Sequence, residues 1–164
     1  MIARLPCTIR IAFAPIATIL LSMSSGIRAA DPPQQHHGEG PSVARQQVEF
    51  PPELKEHTLE NMRDHLLTLE RIQDSLSRGA FDAAAELAET RLGLSSLGLH
   101  EAHEVAKYMP QGMQDIGMEM HRAASRFALD AANAGATGNL NVALGSLANV
   151  TSKCVACHST YRLK

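Results

Sequence analysis

The chain is 164 residues long and carries 15 basic and 17 acidic residues, eight histidines and a formal net charge of −2. That length suits one domain, and the mildly acidic balance argues against nucleic acid or an anionic membrane as a partner, since both need a basic patch to meet phosphates. With four Phe, two Tyr and no Trp, the core must be aliphatic, filled mainly by Leu, Ala and Met.

In chain order, Arg4 and Arg10 precede an apolar run from Ile11 to Met23, and small residues lead to Ala29 and Ala30. This is the pattern of a secretory signal peptide. The apolar run is shorter than the ~20 residues that span a bilayer, and Pro15 interrupts it, so the expectation is an exported protein with no membrane span in its mature form. Cleavage after Ala29 leaves Ile27 and Ala29 at the recognition positions, whereas cleavage after Ala30 puts Arg28 in one of them, which favours Ala29. Loss of Arg4, Arg10 and Arg28 takes the net charge to about −5. Cys7 leaves with the signal, so two cysteines remain in a compartment where disulfides form, and their use needs explaining.

Residues 30 to 52 are rich in Pro, Gln, Gly and His and poor in large apolar side chains, which reads as a flexible leader. Within it, His36 and His37 read as a solvated pair. A helix is expected over 53–77, because Leu59, Met62, Leu66, Leu69, Ile72 and Leu76 share one arc at about 100° per residue. Gly79 ends it. The alanine-rich "FDAAAELAETRL" predicts a second helix from Phe81. A connection from Gly93 to Met109 is poorly periodic and holds at most a helical turn or two. A third helix is expected over 111–133, with Met113, Ile116, Met120, Ala124, Phe127 and Ala131 on one side, then a turn at Gly135 and Gly138. A fourth covers 140–161. No segment alternates with the period of a strand, and no internal repeat is visible. The expected architecture is therefore all-α, an antiparallel four-helix bundle, divided into a signal peptide (1–29), a leader (30–52) and the bundle itself (53–164).

The assignment of haem rests on Cys154-x-x-Cys157-His158, the attachment pattern of c-type haem. Two thiols three residues apart on a helix lie on nearly the same face and can reach the two vinyl groups on one porphyrin edge. The adjacent imidazole is then placed to ligate the iron. Leu140, Leu144, Leu147, Cys154 and His158 fall close together on a helical wheel, so this face is expected to be the interior face of the last helix. A thioredoxin-like pair would want a β-α-β setting. A zinc site would need ligands from neighbours in sequence and a fourth donor, and a disulfide here would close too small a loop to stabilise much.

The stretch "CVACHSTYR" near the end of an all-helical chain resembles the cytochrome c prime family, four-helix bundles with C-x-x-C-H-x-x-Y-R late in the last helix. The resemblance spans about residues 53–164 and is strongest in the final helix. It implies covalent haem c on Cys154 and Cys157, His158 as axial ligand, Tyr161 packed against the cofactor and a periplasmic location. It also implies that the opposite side of the iron faces the first helix, where the family carries Arg-Gln ahead of the distal side chain. Here "NMRDHLLTL" departs from that pattern, with Asp64 in place of Gln, and counting on from Arg63 reaches Leu67, on the polar side of the wheel.

Periodicity points instead to Met62, in the middle of the apolar arc. Its thioether is the candidate sixth ligand beside His158, with plain core filling as the alternative. His65 is a second candidate, and a five-coordinate iron is the third case. Met113 and Met120 read as core, and Met118 as pointing away. His100 and His103 lie three apart, unlike the hydrolytic zinc motif, and read as a solvated or propionate-facing pair. Lys153, Arg162 and Lys164 surround the motif, either solvated or guiding a redox partner. The expected function is single-electron transfer by a monohaem cytochrome, with redox proteins as partners. The other class is a five-coordinate haem protein that binds or buffers NO or CO. No acid–base pair or nucleophile sits in a recognisable setting, so an enzyme is not expected. The alanine-rich second helix is compatible with a symmetric homodimer or with internal packing.

Overall fold

Pro51 and Pro52 open the first long helix: Pro52 sits in the first turn, where a missing N–H costs nothing, and Glu53 faces the positive helix end. In this computed structural model, residues 44–164 are described. The expected signal peptide with Cys7, and the leader as far as residue 43 with His36 and His37, lie outside the described residues. Helix α1 runs Pro52–Ser77 and ends before Gly79, whose φ of 70° is a left-handed conformation that glycine adopts without strain. Helix α2 (Phe81–Arg91) carries Asp82 in its first turn and Arg91 in its last, both complementing the helix dipole. A 3-10 turn at Leu94–Ser96 and the short α3 (Ala102–Ala106) follow, then α4 (Gln111–Thr137), Gly138 with φ 73°, and α5 (Leu140–Thr160).

Helix positions agree with periodicity, with two corrections. The third expected helix continues through Gly135 to Thr137, so Gly138 alone makes the turn. The leader, expected to lack structure up to Pro52, contains strand β1 (Gln46–Val48), which pairs in parallel with β2 (Tyr161–Leu163) just beyond α5. Average composition hides the reason. Val48 and Phe50 are both buried, in a small cluster with Val105 that Tyr161, Leu163 and Met113 pack against.

The extensive helix contacts are α1 with α2, α2 with α4, and α4 with α5. Their shared core is small-residue rich, with Ala84, Ala88, Ala124, Ala131 and Ala143 wholly buried around Phe127, Ile72, Leu92 and Val150. Alanine lets helix axes approach closely. Because Ala84 and Ala88 are inside, the small face of α2 serves internal packing. Among the described residues no helix is long and apolar enough to cross a membrane.

The buried face of α5 is Ala143, Leu147 and Val150, with Cys154 packed against it. The expected interior Leu140 and Leu144 are instead 37% and 46% exposed. The alanine ridge of α4 selects the small side of α5, which the wheel centred on leucine had placed off centre.

Candidate functional site

The last turns of α5 present Cys154 and Cys157, half-buried, and His158, exposed, along one side of a cavity of about 540 Å³. Both thiols are free, and Cys154 Sγ donates to the Val150 carbonyl at 3.7 Å. Burial pushes both thiols up, and proximity to Cys154 raises Cys157 further. They are therefore neutral thiols at pH 7, the reverse of the lowered pKa that defines a dithiol oxidoreductase. Among the described residues no group of three or more Cys, His, Asp or Glu side chains already stands in position to hold a metal ion.

The facing wall is α1. Its apolar arc splits: Ile72 and Leu76 are buried in the core, whereas Leu59, Met62, Leu66 and Leu69 line the cavity opposite the cysteines. Leu66 is 71% exposed and Val155, across from it, 64%. Ile116, Gly117 and Met120 of α4 complete the lining. A Cβ built on Gly117 would meet nothing within 4 Å, so the glycine leaves open space on the cavity wall. A broad apolar group beside two thiols and an imidazole is the ligand these walls fit. Replacing Gly117 by Leu is expected to strengthen α4, by up to about 1 kcal/mol of intrinsic helix propensity, while filling open space on the cavity wall, which a urea midpoint checks.

Met62 sits on this wall as periodicity indicated, and Leu67 is exposed on the polar side. Met120 is core, and Met113 packs on the small cluster around Val48. Met118, expected to point away, is half-buried on a second cavity of about 320 Å³. That cavity shares Met62, His65 and Gly117 with the first. Tyr161, expected to pack against the cofactor, is not among the residues that line the thiol-lined cavity. It begins β2, packs beside Val48, Phe50 and Val105, and brings its hydroxyl so near Gly112 that a Cβ there would lie 2.7 Å from it. Of the basic residues, Lys153 pairs with Glu119 at 2.8 Å and Lys164 with Glu49 at 3.4 Å, and Arg162 is exposed. Arg45 donates to the His158 carbonyl at 3.2 Å, tying the chain ahead of β1 to the end of α5.

The histidines differ most from expectation. His100, read with His103 as a solvated or propionate-facing pair, is 6% exposed, whereas His103 is on the surface. His65 is also buried, and its Nε2 lies 3.3 Å from His100 Nε2. His121 of α4 is the third buried ring, centred 5.5 Å from His100 and 6.4 Å from His65. The adjacent Asp64 takes Arg91 of α2 at 2.6 Å, which anchors α1 to α2. Burial lowers the pKa of all three rings, to about 3 for His65 and about 4 for His100, and the neighbouring imidazoles reinforce the shift in those two.

Consider the sign for His65. An unfolded imidazole takes a proton as pH falls through 6.5, and the folded one refuses it until about 3. The stabilisation is complete above pH 6.5 and is lost as pH falls toward 3. Between pH 7 and 5 this amounts to about 2 kcal/mol from His65 alone. Urea midpoints are expected to drop over that interval, and to drop less in His65→Gln, where His100 and His121 still contribute.

Sequence reasoning passed over His121 and Gly117. The signal present was their spacing: four residues apart on α4, they share a face with Met113 and Met120. No known family model, curated protein or solved structure matches this chain.

Proposed function

We propose that this chain is a periplasmic monohaem c-type cytochrome, an antiparallel four-helix bundle of the cytochrome c prime kind, that transfers single electrons. The observation that carries the reading is the uncovered apolar stripe of α1, Leu59 to Leu69, facing Cys154, Cys157 and His158 across the 540 Å³ cavity. An apolar stripe lining a cavity opposite a C-x-x-C-H motif supports a ligand groove. In this reading Cys154 and Cys157 would hold the haem as two thioethers, each S–H adding across a vinyl group so that no oxidant is needed, and His158 and Met62 would bind its iron. When bound, the haem supplies an iron that alternates between ferrous and ferric. The chain's own contribution is to exclude water with Leu59, Leu66 and Leu69, to hold the ligand set through the change of charge, and to offer exposed Arg162 near the groove to a redox partner.

A second reading, a five-coordinate haem protein that holds NO or CO, is favoured by the 320 Å³ cavity that meets the groove at Met62, His65 and Gly117. The optical spectrum of the reduced protein separates the two. A low-spin spectrum indifferent to carbon monoxide is the expected result, with Met62→Ala converting it to one that shifts on addition of the gas. A wild-type spectrum that is already high-spin and shifts readily with the gas rules out Met62 ligation and favours the second reading.

A further inference from the structure

Three buried imidazoles on three separate elements need an explanation that the cysteine-lined groove does not give. His65 comes from α1, His100 from the connection ahead of α3 and His121 from α4, and each is under 10% exposed. Burying a polar ring costs free energy unless its nitrogens are used. Two rings have their outer nitrogens assigned by their partners. His121 Nδ1 lies 2.7 Å from the Leu92 carbonyl, which can only accept, so Nδ1 carries the proton. Ser96 Oγ donates its proton to the Gly93 carbonyl at 2.7 Å and therefore accepts from His100 Nδ1 at 3.4 Å. In both neutral rings Nε2 is left as the lone-pair nitrogen. The His100 lone pair takes the Nε2 proton of His65 at 3.3 Å, and fixing a ring through Nδ1 with the lone pair on Nε2 is the outer-shell arrangement of metal-binding histidines.

We propose that His65, His100 and His121 form a second metal site, which shares only His65 with the lining of the thiol-lined groove, for one divalent transition ion of the Zn(II) or Cu(II) kind. Imidazole nitrogen suits these ions. Around a tetrahedral ion with metal–nitrogen bonds of about 2.0–2.1 Å, ligand nitrogens stand about 3.3 Å apart and ring centres about 5 Å apart. His65 and His100 have that nitrogen separation, and the three ring-centre distances are 4.6, 5.5 and 6.4 Å. His121 is the ring that must move inward, by about 1 Å on this geometry, for the three to reach one ion. The local charge includes both signs. Asp64, next to His65, has one oxygen on Arg91 and the other buried without a hydrogen-bond partner. Its unsatisfied oxygen offsets part of the ion's charge, and Arg91 opposes it.

The test uses the full chain as purified, stripped with chelator and dialysed against micromolar Zn(II), which is redox-silent, with zinc and iron counted per chain by plasma mass spectrometry. One zinc beyond any iron is expected. His100→Gln and His121→Gln should each weaken it about tenfold or more, while His103→Gln, on the surface, leaves it unchanged. No zinc on the wild type overturns the proposal. So does undiminished zinc on the variants, which assigns the ion to another donor such as the His36–His37 pair. Should the variants misfold by circular dichroism, long-range proton–nitrogen spectra of wild-type imidazoles decide: three rings responding at Nε2 support the site, and fewer than three refute it. Because iron is counted separately, a chain that takes zinc but holds no haem keeps this site and loses the cytochrome reading. A chain with haem and no zinc does the converse.

Discussion

Under the proposed cytochrome reading, replacing Cys154 and Cys157 together by alanine is expected to abolish covalent haem attachment and to lower the thermal midpoint by on the order of 10 °C. The physical reason is the divided arc of α1. Its C-terminal half buries Ile72 and Leu76 in the core, but Leu59, Met62, Leu66 and Leu69 face a cavity whose far side is α5. The long helices are in extensive contact in the order α1, α2, α4, α5, and α1 and α5 bound the groove. A ligand bridging that groove buries apolar surface that the chain alone leaves wet, at roughly 25 cal/mol per Å², and covalent attachment keeps it there. Losing it exposes the stripe. Haem-stained denaturing gels and a thermal melt read the two effects separately, and a double variant that keeps its midpoint would mean that the groove contributes nothing to folding.

Phe127→Ala is expected to cost about 3–5 kcal/mol. Phe127 is fully buried, the largest of the wholly buried side chains, among alanines whose short side chains cannot extend to fill the void. With total stability of about 5–15 kcal/mol for a domain, that change consumes much of the margin and should shift the urea midpoint strongly. Leu129→Ala, two residues along on the exposed face at 69% exposure, is expected to stay within about 0.5 kcal/mol. The contrast checks that the loss reflects packing and not helix propensity, because alanine is the better helix former in both.

Helix existence and approximate ends were legible because prolines, glycines and the 3.6-residue period are local signals. Pro51–Pro52, Gly79, Pro110 and Gly138 all sit at ends or turns. What periodicity could not tell was which apolar residues meet other helices and which meet a ligand. Met62, Leu66 and Ile72 look alike on a wheel, yet only Ile72 is core. The α5 face was misjudged for a related reason: leucine dominates a wheel, but close helix packing favours Ala143 over Leu144. The histidine group depends on tertiary structure altogether. His65 sits beside the apolar arc, His100 lies in an aperiodic connection and His121 among ordinary helix positions, so no one-dimensional pattern joins them. Strand β1 was hidden in a polar leader because only Val48 and Phe50 in it are apolar enough to be held, and the sheet partner is 115 residues away in sequence for each pair of the register. The C-x-x-C-H spacing, by contrast, is compact chemistry and survives without a fold.

The most direct test is the intact mass of the exported chain isolated from a host with a haem-attachment system, denatured before analysis, followed by mapping of the peptide that contains Cys154 to His158. The expected result is a uniform mass gain of one haem that stays with that peptide after unfolding and carries iron in a one-to-one ratio. A chain of unmodified mass, with two free thiols and a pigment that washes away or never forms, would contradict it.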